Sequence, residues 1–286
     1  MRFDADTKIL IVGLGLIGGS YAAALSEKGF SVCAVEKRQS ALDFALAKGW
    51  IAAGVTEPTP ALLGGADLVI FALYPRDVVR FATENASFFS KGALLTDVTG
   101  VKCGVVEAVQ AALPEGVEFI GAHPMAGREV SGVEHADPAL FRGANFLITP
   151  TAKNSREAVE VCRELGAFLG CGRISCLSPE EHDEMIGFLS QLTHCIAVSL
   201  MDCKDAAHLA SYTGDSFRDL TRIAKINDEM WSELFLLNKK QLLAGMDAFA
   251  ATFRALRDCV EREDAETLRA MMRLSRERRQ VFDENK

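Results

Sequence analysis

The stretch Ile9-Leu10-Ile11-Val12-Gly13-Leu14-Gly15-Leu16-Ile17-Gly18 decides the fold, because an apolar strand runs directly into a glycine turn and then into a helical pattern. In that setting Gly13, Gly15 and Gly18 meet three demands: a tight turn, close backbone approach to a pyrophosphate, and close packing of helix on sheet. The helix N-terminus then turns its unpaired N–H groups toward the phosphates. The expected dinucleotide contacts are Gly13, Leu14, Gly15, Leu16, Ile17 and Gly18. Glu36 ends the next strand, where a carboxylate accepts both ribose hydroxyls and repels a 2′-phosphate. NAD is therefore expected over NADP; Lys37 and Arg38 would hold a 2′-phosphate only if Glu36 turned away.

Working outward, short apolar runs alternate with helical patterns as far as Cys176. The expected strands are 9–12, 31–35, 68–72, 93–96, 118–120, 145–148 and 173–176, with helices at 20–28, 40–48 and 155–169 that stop at Gly29, Gly49 and Gly170. This alternation is the signature of an α/β Rossmann-type, doubly wound, largely parallel sheet. Ser178-Pro179-Glu180-Glu181 reads as a capping box with proline at the first helical position, and strand signals vanish after it. The expected organisation is a dinucleotide-binding domain over residues 1–177 and an all-helical substrate and dimerisation domain over 178–286. Residues 181–201 are apolar around much of the helix, which suits a helical core or a dimer seam. Phe235, Leu236, Leu242, Leu243, Met246, Phe249 and Phe253 are expected to pack in a core.

The chain of 286 residues carries 31 Lys plus Arg against 39 Asp plus Glu, a net charge of −8, which disfavours nucleic acid and anionic membranes as partners. An anionic small substrate would need a local cluster of Arg, Lys or His. The eight cysteines form no CxxC pair, and neither a metal site nor a disulfide framework is expected from them. No apolar run is read as a membrane span, and the N-terminus leads directly into a strand, so a cytoplasmic location is expected.

Gly121-Ala122-His123-Pro124-Met125-Ala126-Gly127 places a histidine among turn-forming residues downstream of the dinucleotide motif. Histidine titrates near neutral pH, so one held beside a nicotinamide can accept a hydroxyl proton while the same carbon gives up hydride.

GLGLIGGS at 13–20, DVTGVK at 97–102, GAHPMAGRE at 121–129, EHDEMIGFLSQLTH at 181–194 and DLTRIAKINDEMW at 219–231 together resemble the prephenate/arogenate dehydrogenase family. The resemblance implies an NAD-dependent oxidative decarboxylation: prephenate loses hydride from its hydroxyl-bearing ring carbon, releases CO₂ and aromatises to 4-hydroxyphenylpyruvate. It implies that His123 is the base, that Arg222 grips a substrate carboxylate, and that His194 lines the substrate pocket. Lys102 is placed near the reaction centre and Asp97 with the cofactor. Arg128 would help to bind the anionic side chain, and a homodimer through the helical domain is implied. His182 and Asp183 are read as structural, since polar residues at helix starts usually cap or pack.

The chain departs from the family pattern twice. Gly100 stands where many members carry a serine that orients the catalytic histidine or the substrate hydroxyl, and Thr99 is expected to supply a hydroxyl instead. Gln191 replaces a histidine of the substrate pocket, which removes a titrating group there. Three other readings remain open at this stage: arogenate as substrate, a β-hydroxyacid dehydrogenase, and a non-catalytic NAD(H) sensor.

Overall fold

The computed structural model describes residues 3–205 and 207–284, so the outermost residues of both expected domains lie outside it. The chain opens with β1 (Ile9–Val12), α1 (Leu16–Glu27), β2 (Val32–Val35), α2 (Gln39–Ala47), β3 (Ala53–Val55), α3 (Pro60–Gly64), β4 (Leu68–Phe71) and α4 (Pro75–Glu84). It continues with β5 (Leu94–Asp97), α5 (Cys103–Ala112), β6 (Glu118–Pro124), β7 (Asn145–Thr149), α6 (Arg156–Phe168) and β8 (Arg173–Cys176). Helices follow: α7 (Pro179–Ile186), a π-helical turn (Gly187–Gln191), α8 (Leu192–Asp202), α9 (Asp215–Thr221), α10 (Asp228–Leu237), α11 (Lys239–Glu261) and α12 (Ala265–Glu284).

Among the described residues eight strands form one sheet in the order β3-β2-β1-β4-β5-β6-β7-β8. All neighbours are parallel except β6 and β7, which run antiparallel. Strand order reverses at β1, so the glycine turn after Val12 lies at the carboxyl end of the sheet beside the switch point, where α/β sheets bind ligands. The period-two alternation of β1 sends Ile9 and Ile11 into one apolar cluster and Leu10 and Val12 into another. The sheet is thereby buried on both faces, which accounts for its continuous apolar runs.

Seven strands stand where the sequence places them, within a residue or so at most ends. β3 escapes sequence reading because it is a three-residue strand at the sheet edge, Ala-Gly-Val. β6 runs through Pro124, so His123 sits on a strand, paired with Leu147, and not in a loop. Gly29, Gly49 and Gly170 have φ of 88°, 69° and 78°, the left-handed backbone that ends helices with little strain in glycine.

By compactness the chain forms two units, residues 1–238 and 239–286. The helices from α7 to α10 therefore group with the sheet, although strands end at Cys176. Residues 179–202 form a continuous helical stretch long and apolar enough to cross a membrane, longer than the sequence reading allowed. Its His182, Asp183 and Gln191 are buried and hydrogen-bonded into the protein, whereas Phe188, Leu189 and Met201 on the same stretch are exposed. Leu236, Leu243, Met246, Phe249 and Phe253, expected in a core, are exposed in the single chain. Their helices present an apolar face beyond what the chain itself covers.

The capping box is present: Ser178 Oγ accepts the Glu181 N–H at 3.1 Å, and Glu181 Oε2 accepts the Ser178 N–H at 2.7 Å. Ser178→Ala should lower the unfolding free energy by about 1 kcal/mol in chemical denaturation; an unchanged midpoint would show that the box contributes nothing.

Candidate active site

β5 and β6 pair in register only as far as Thr96 and Ile120. Two side chains then take over from the backbone ladder. Asp97 Oδ1 accepts the Ala122 N–H at 3.0 Å, and Lys102 Nζ donates to the Ala122 carbonyl at 2.6 Å. The same ammonium donates to Asp97 Oδ2 at 2.6 Å, and both side chains are fully buried. Gly121 makes this possible, since a Cβ there would stand 3.0 Å from Lys102 Cδ and collide with Thr149 Oγ1. The clamp holds both polar groups of the residue before His123.

Lys102, expected near the reaction centre, is instead turned inward and fully buried. Its three donor positions go to Asp97, Ala122 and, at 3.2 Å, Thr99 Oγ1. Burial pushes its pKa down and Asp97 pulls it back up. Thr99 is buried, with its hydroxyl turned onto the Asp97 carboxylate and 2.8 Å from the Val101 carbonyl, so it does not replace the missing serine. Asp97, expected at the cofactor, has no exposed side-chain surface and spends its oxygens on this cluster.

His123 projects from the clamped strand, partly buried. Its pKa is held well below the ordinary histidine value, by burial first and then by the positive charges that His182 and Lys102 would present. The ring is neutral at neutral pH, as a proton acceptor must be. Its Nδ1 lies 3.0 Å from His182 Nε2, and His182 Nδ1 lies 2.8 Å from Asp183 Oδ1. His182 and Asp183 are therefore joined to His123, where the sequence alone reads them as structural. Their position one turn inside a buried helix, with no solvent to satisfy them, is the signal that could have found them.

A second cluster surrounds Arg222. Its guanidinium pairs with the carboxylate of Glu129, from the loop after β6. Arg222 is mostly exposed, with 63% of its side-chain surface accessible. His194 stacks on Trp231 with ring centroids 3.7 Å apart and donates Nδ1–H to the Ser190 carbonyl at 2.8 Å. That bond leaves Nε2 as an acceptor. Burial lowers the His194 pKa, and the charges of Glu129 and Arg222 act on the ring in opposite senses. α10 links the clusters: Leu234 lies against Gly100, whose absent Cβ would be 3.9 Å from His123 Cε1, and Trp231 sits one turn earlier.

Gln191, expected in the substrate pocket, is buried. Its Oε1 accepts from Asn238 Nδ2 at 2.8 Å and its Nε2 donates to the Leu234 carbonyl at 3.3 Å. The amide ties the π-helical turn before α8 to α10 and faces no open site. Arg128 pairs with Asp137 at 2.7 Å and lines a cavity of about 620 Å³ together with Glu129, Glu134 and His135.

At the glycine turn, Gly13 has φ 96° and a Cβ on Gly18 would collide with the Gly13 carbonyl, so neither tolerates a side chain. A Cβ on Gly15 would enter open space in front of α1, whose first turn has no side-chain cap and no acidic residue. Glu36 is held in place, with Oε2 accepting the Leu14 N–H at 2.7 Å and Oε1 paired with Arg38 Nε at 3.2 Å. The residues present fit a dinucleotide that carries a free ribose diol.

Residues 21–173 match the family described as "Prephenate dehydrogenase, nucleotide-binding domain", and residues 178–274 match "Prephenate dehydrogenase, dimerization domain". The chain is 32% identical over 267 residues to the prephenate dehydrogenase of Bacillus subtilis, covering 91% of this chain and 72% of that one. It is 30% identical over 268 residues to the cyclohexadienyl dehydrogenase of Zymomonas mobilis, covering 91% and 90%. The crystal structure of prephenate dehydrogenase from A. aeolicus, in complex with hydroxyphenyl propionate and NAD+, superposes with a TM-score of 0.88 at 28% identity, covering 98% of this chain and all of that one.

Lys102→Met would leave the buried Asp97 carboxyl without its cation and Ala122 without one of its partners. A loss of about 3–5 kcal/mol in denaturant unfolding is expected; a loss below 1 kcal/mol would show that the clamp is dispensable.

Proposed function

Because the chain belongs to the prephenate dehydrogenase family, we propose that it oxidises prephenate with NAD to 4-hydroxyphenylpyruvate and CO₂. The observation that carries the reading is a neutral histidine on a clamped strand end, linked through α10 to an arginine already holding a carboxylate. Gly13, Gly15, Gly18 and the start of α1 would hold the dinucleotide pyrophosphate, and Glu36 the adenosine ribose. NAD, when bound, supplies the acceptor for hydride leaving the hydroxyl-bearing ring carbon. Glu36 is not turned away, and Arg38 is committed to it, which supports NAD over NADP.

His123 accepts the proton of the ring hydroxyl as that carbon is oxidised; CO₂ then departs and the ring aromatises. Arg222 exchanges the Glu129 carboxylate for one on the substrate, since a guanidinium fork binds either in the same bidentate manner. His194 offers Nε2 to a substrate donor from its stacked position on Trp231. Arg128 adds positive potential from the adjoining loop. Residues from 178 onward supply His194, Arg222 and Trp231 and constitute the substrate and dimerisation domain. A second copy of the chain would cover exposed Phe188, Leu236, Phe249 and Phe253. The eight free cysteines suit work in a reducing cytoplasm.

Arogenate is the second reading, because Glu129 places a carboxylate in the cluster where the amine of that substrate would be recognised. Initial rates of NADH or NADPH formation, with prephenate or arogenate and NAD or NADP in all four combinations, test both. Prephenate with NAD should be fastest. A clear preference for arogenate would move the assignment, and no turnover in any combination would overturn it.

Two further outcomes follow. Arg222→Ala should raise KM for the substrate more than it lowers kcat; the reverse pattern would assign Arg222 to the transition state. Since the His123 pKa lies below the ordinary value of about 6.5, the active neutral form persists at pH 7 and is lost only as pH falls further. The acid limb of kcat/KM should therefore lie below about pH 6.5, and a limb at or above 7 would contradict the burial argument.

A further inference from the structure

His182 and Asp183 stand in line behind His123, and the reaction as described above uses neither. Counting protons along the line settles what each ring carries. Asp183 Oδ1 and Oδ2 accept the backbone N–H groups of Lys102 and Cys103 at 2.8 and 2.9 Å. Burial alone would raise the Asp183 pKa, but the hydrogen bonds from His182 and Cys103 hold it below its ordinary value, so it is a carboxylate. A carboxylate has no proton to give, and His182 Nδ1, at 2.8 Å, must be the donor between them. Burial lowers the His182 pKa, so the ring is neutral and its Nε2 is bare. The proton between His182 Nε2 and His123 Nδ1 then belongs to His123, and His123 Nε2 is left with its lone pair.

We infer that Asp183 and His182 are positioning residues that lock His123 in its Nδ1–H tautomer, leaving Nε2 as the base, and that this hydrogen-bonded line supports the charge formed during proton transfer. The inference rests on the reading of His123 as the base. When Nε2 takes the substrate hydroxyl proton, no proton has to leave His123. The Nδ1–H···Nε2 bond becomes charge-assisted, and the Asp183 carboxylate at the end of the line supplies the counter-charge. Thr99 cannot do this because its hydroxyl is turned to Asp97, and Gly100 has no side chain. The charged groups bearing on the two rings are Lys102, Asp97 and Asp183, and Lys102 and Asp97 offset each other across a 2.6 Å pair.

The chain has five histidines, few enough for long-range ¹H–¹⁵N correlation of histidine-labelled wild-type protein. Near neutral pH, His123 and His182 should both appear neutral with the proton on Nδ1; His123 protonated on Nε2 would overturn the inference. Kinetics supply the second arm. His182→Leu should lower kcat by roughly tenfold to a thousandfold with NAD binding by calorimetry and substrate KM within about twofold. His182→Gln, whose carbonyl oxygen can accept the Nδ1 proton, should restore most of the turnover. Wild-type turnover in His182→Leu, or equal losses in both variants, would overturn the role; should neither variant fold, the wild-type spectrum decides. Nδ1–H tautomers in a protein that turns over neither prephenate nor arogenate would uphold the lock and remove the proposed substrate.

Discussion

The buried Asp97–Lys102 pair is the constraint on which the site depends. A carboxylate and an ammonium taken wholly out of water carry a desolvation cost that attraction offsets only when the remaining lone pairs and protons are also used. Here they are: Ala122 contributes both its N–H and its carbonyl, and Thr99 fills the remaining position. The pair therefore does more than neutralise itself. It fastens the strand just where β6 stops pairing with β5 and pairs antiparallel with β7. His123 is the next residue, so the precision of the clamp passes directly to the proposed base.

Two charge environments meet around that residue. On the sheet side, burial and nearby positive charge keep His123 neutral. Opposite it, Arg222 from the helices and Arg128 from the loop after β6 supply positive potential to a chain whose net charge is −8, and each is held by an acidic neighbour, Glu129 and Asp137 respectively. On the proposed reading, a dianionic substrate would be met by local cations despite the overall acidity, and His123 would stay neutral beside them. The sheet carries its own two-sided core, whereas α10 and, separately, α11 leave apolar residues exposed.

Much of this was legible in the sequence. The glycine turn with Glu36, the alternation to Cys176 and the capping box at Ser178 report local chemistry, and local chemistry is written in adjacent residues. Among the site residues, His123 and Arg222 were legible as types in specific motifs. What sequence could not show was direction. Thr99, Lys102 and Asp97 look alike in one motif whether they face a ligand or each other, and burial turned all three inward. Gln191 was placed in the pocket by its position, but closing the contact of the π-helical turn with α10 takes both ends of its amide. His182 and Asp183 were passed over because their partner, His123, lies 59 residues away in the chain for His182.

The central claim is that His123 is the base of a dehydrogenase, and the most direct test is turnover of His123→Asn with NAD binding measured on the same preparation by calorimetry. A fall in kcat of about 10²–10⁴-fold with unaltered NAD affinity is expected of a residue that takes the proton. Turnover like that of the wild-type chain would contradict it and leave the clamped strand without a catalytic purpose.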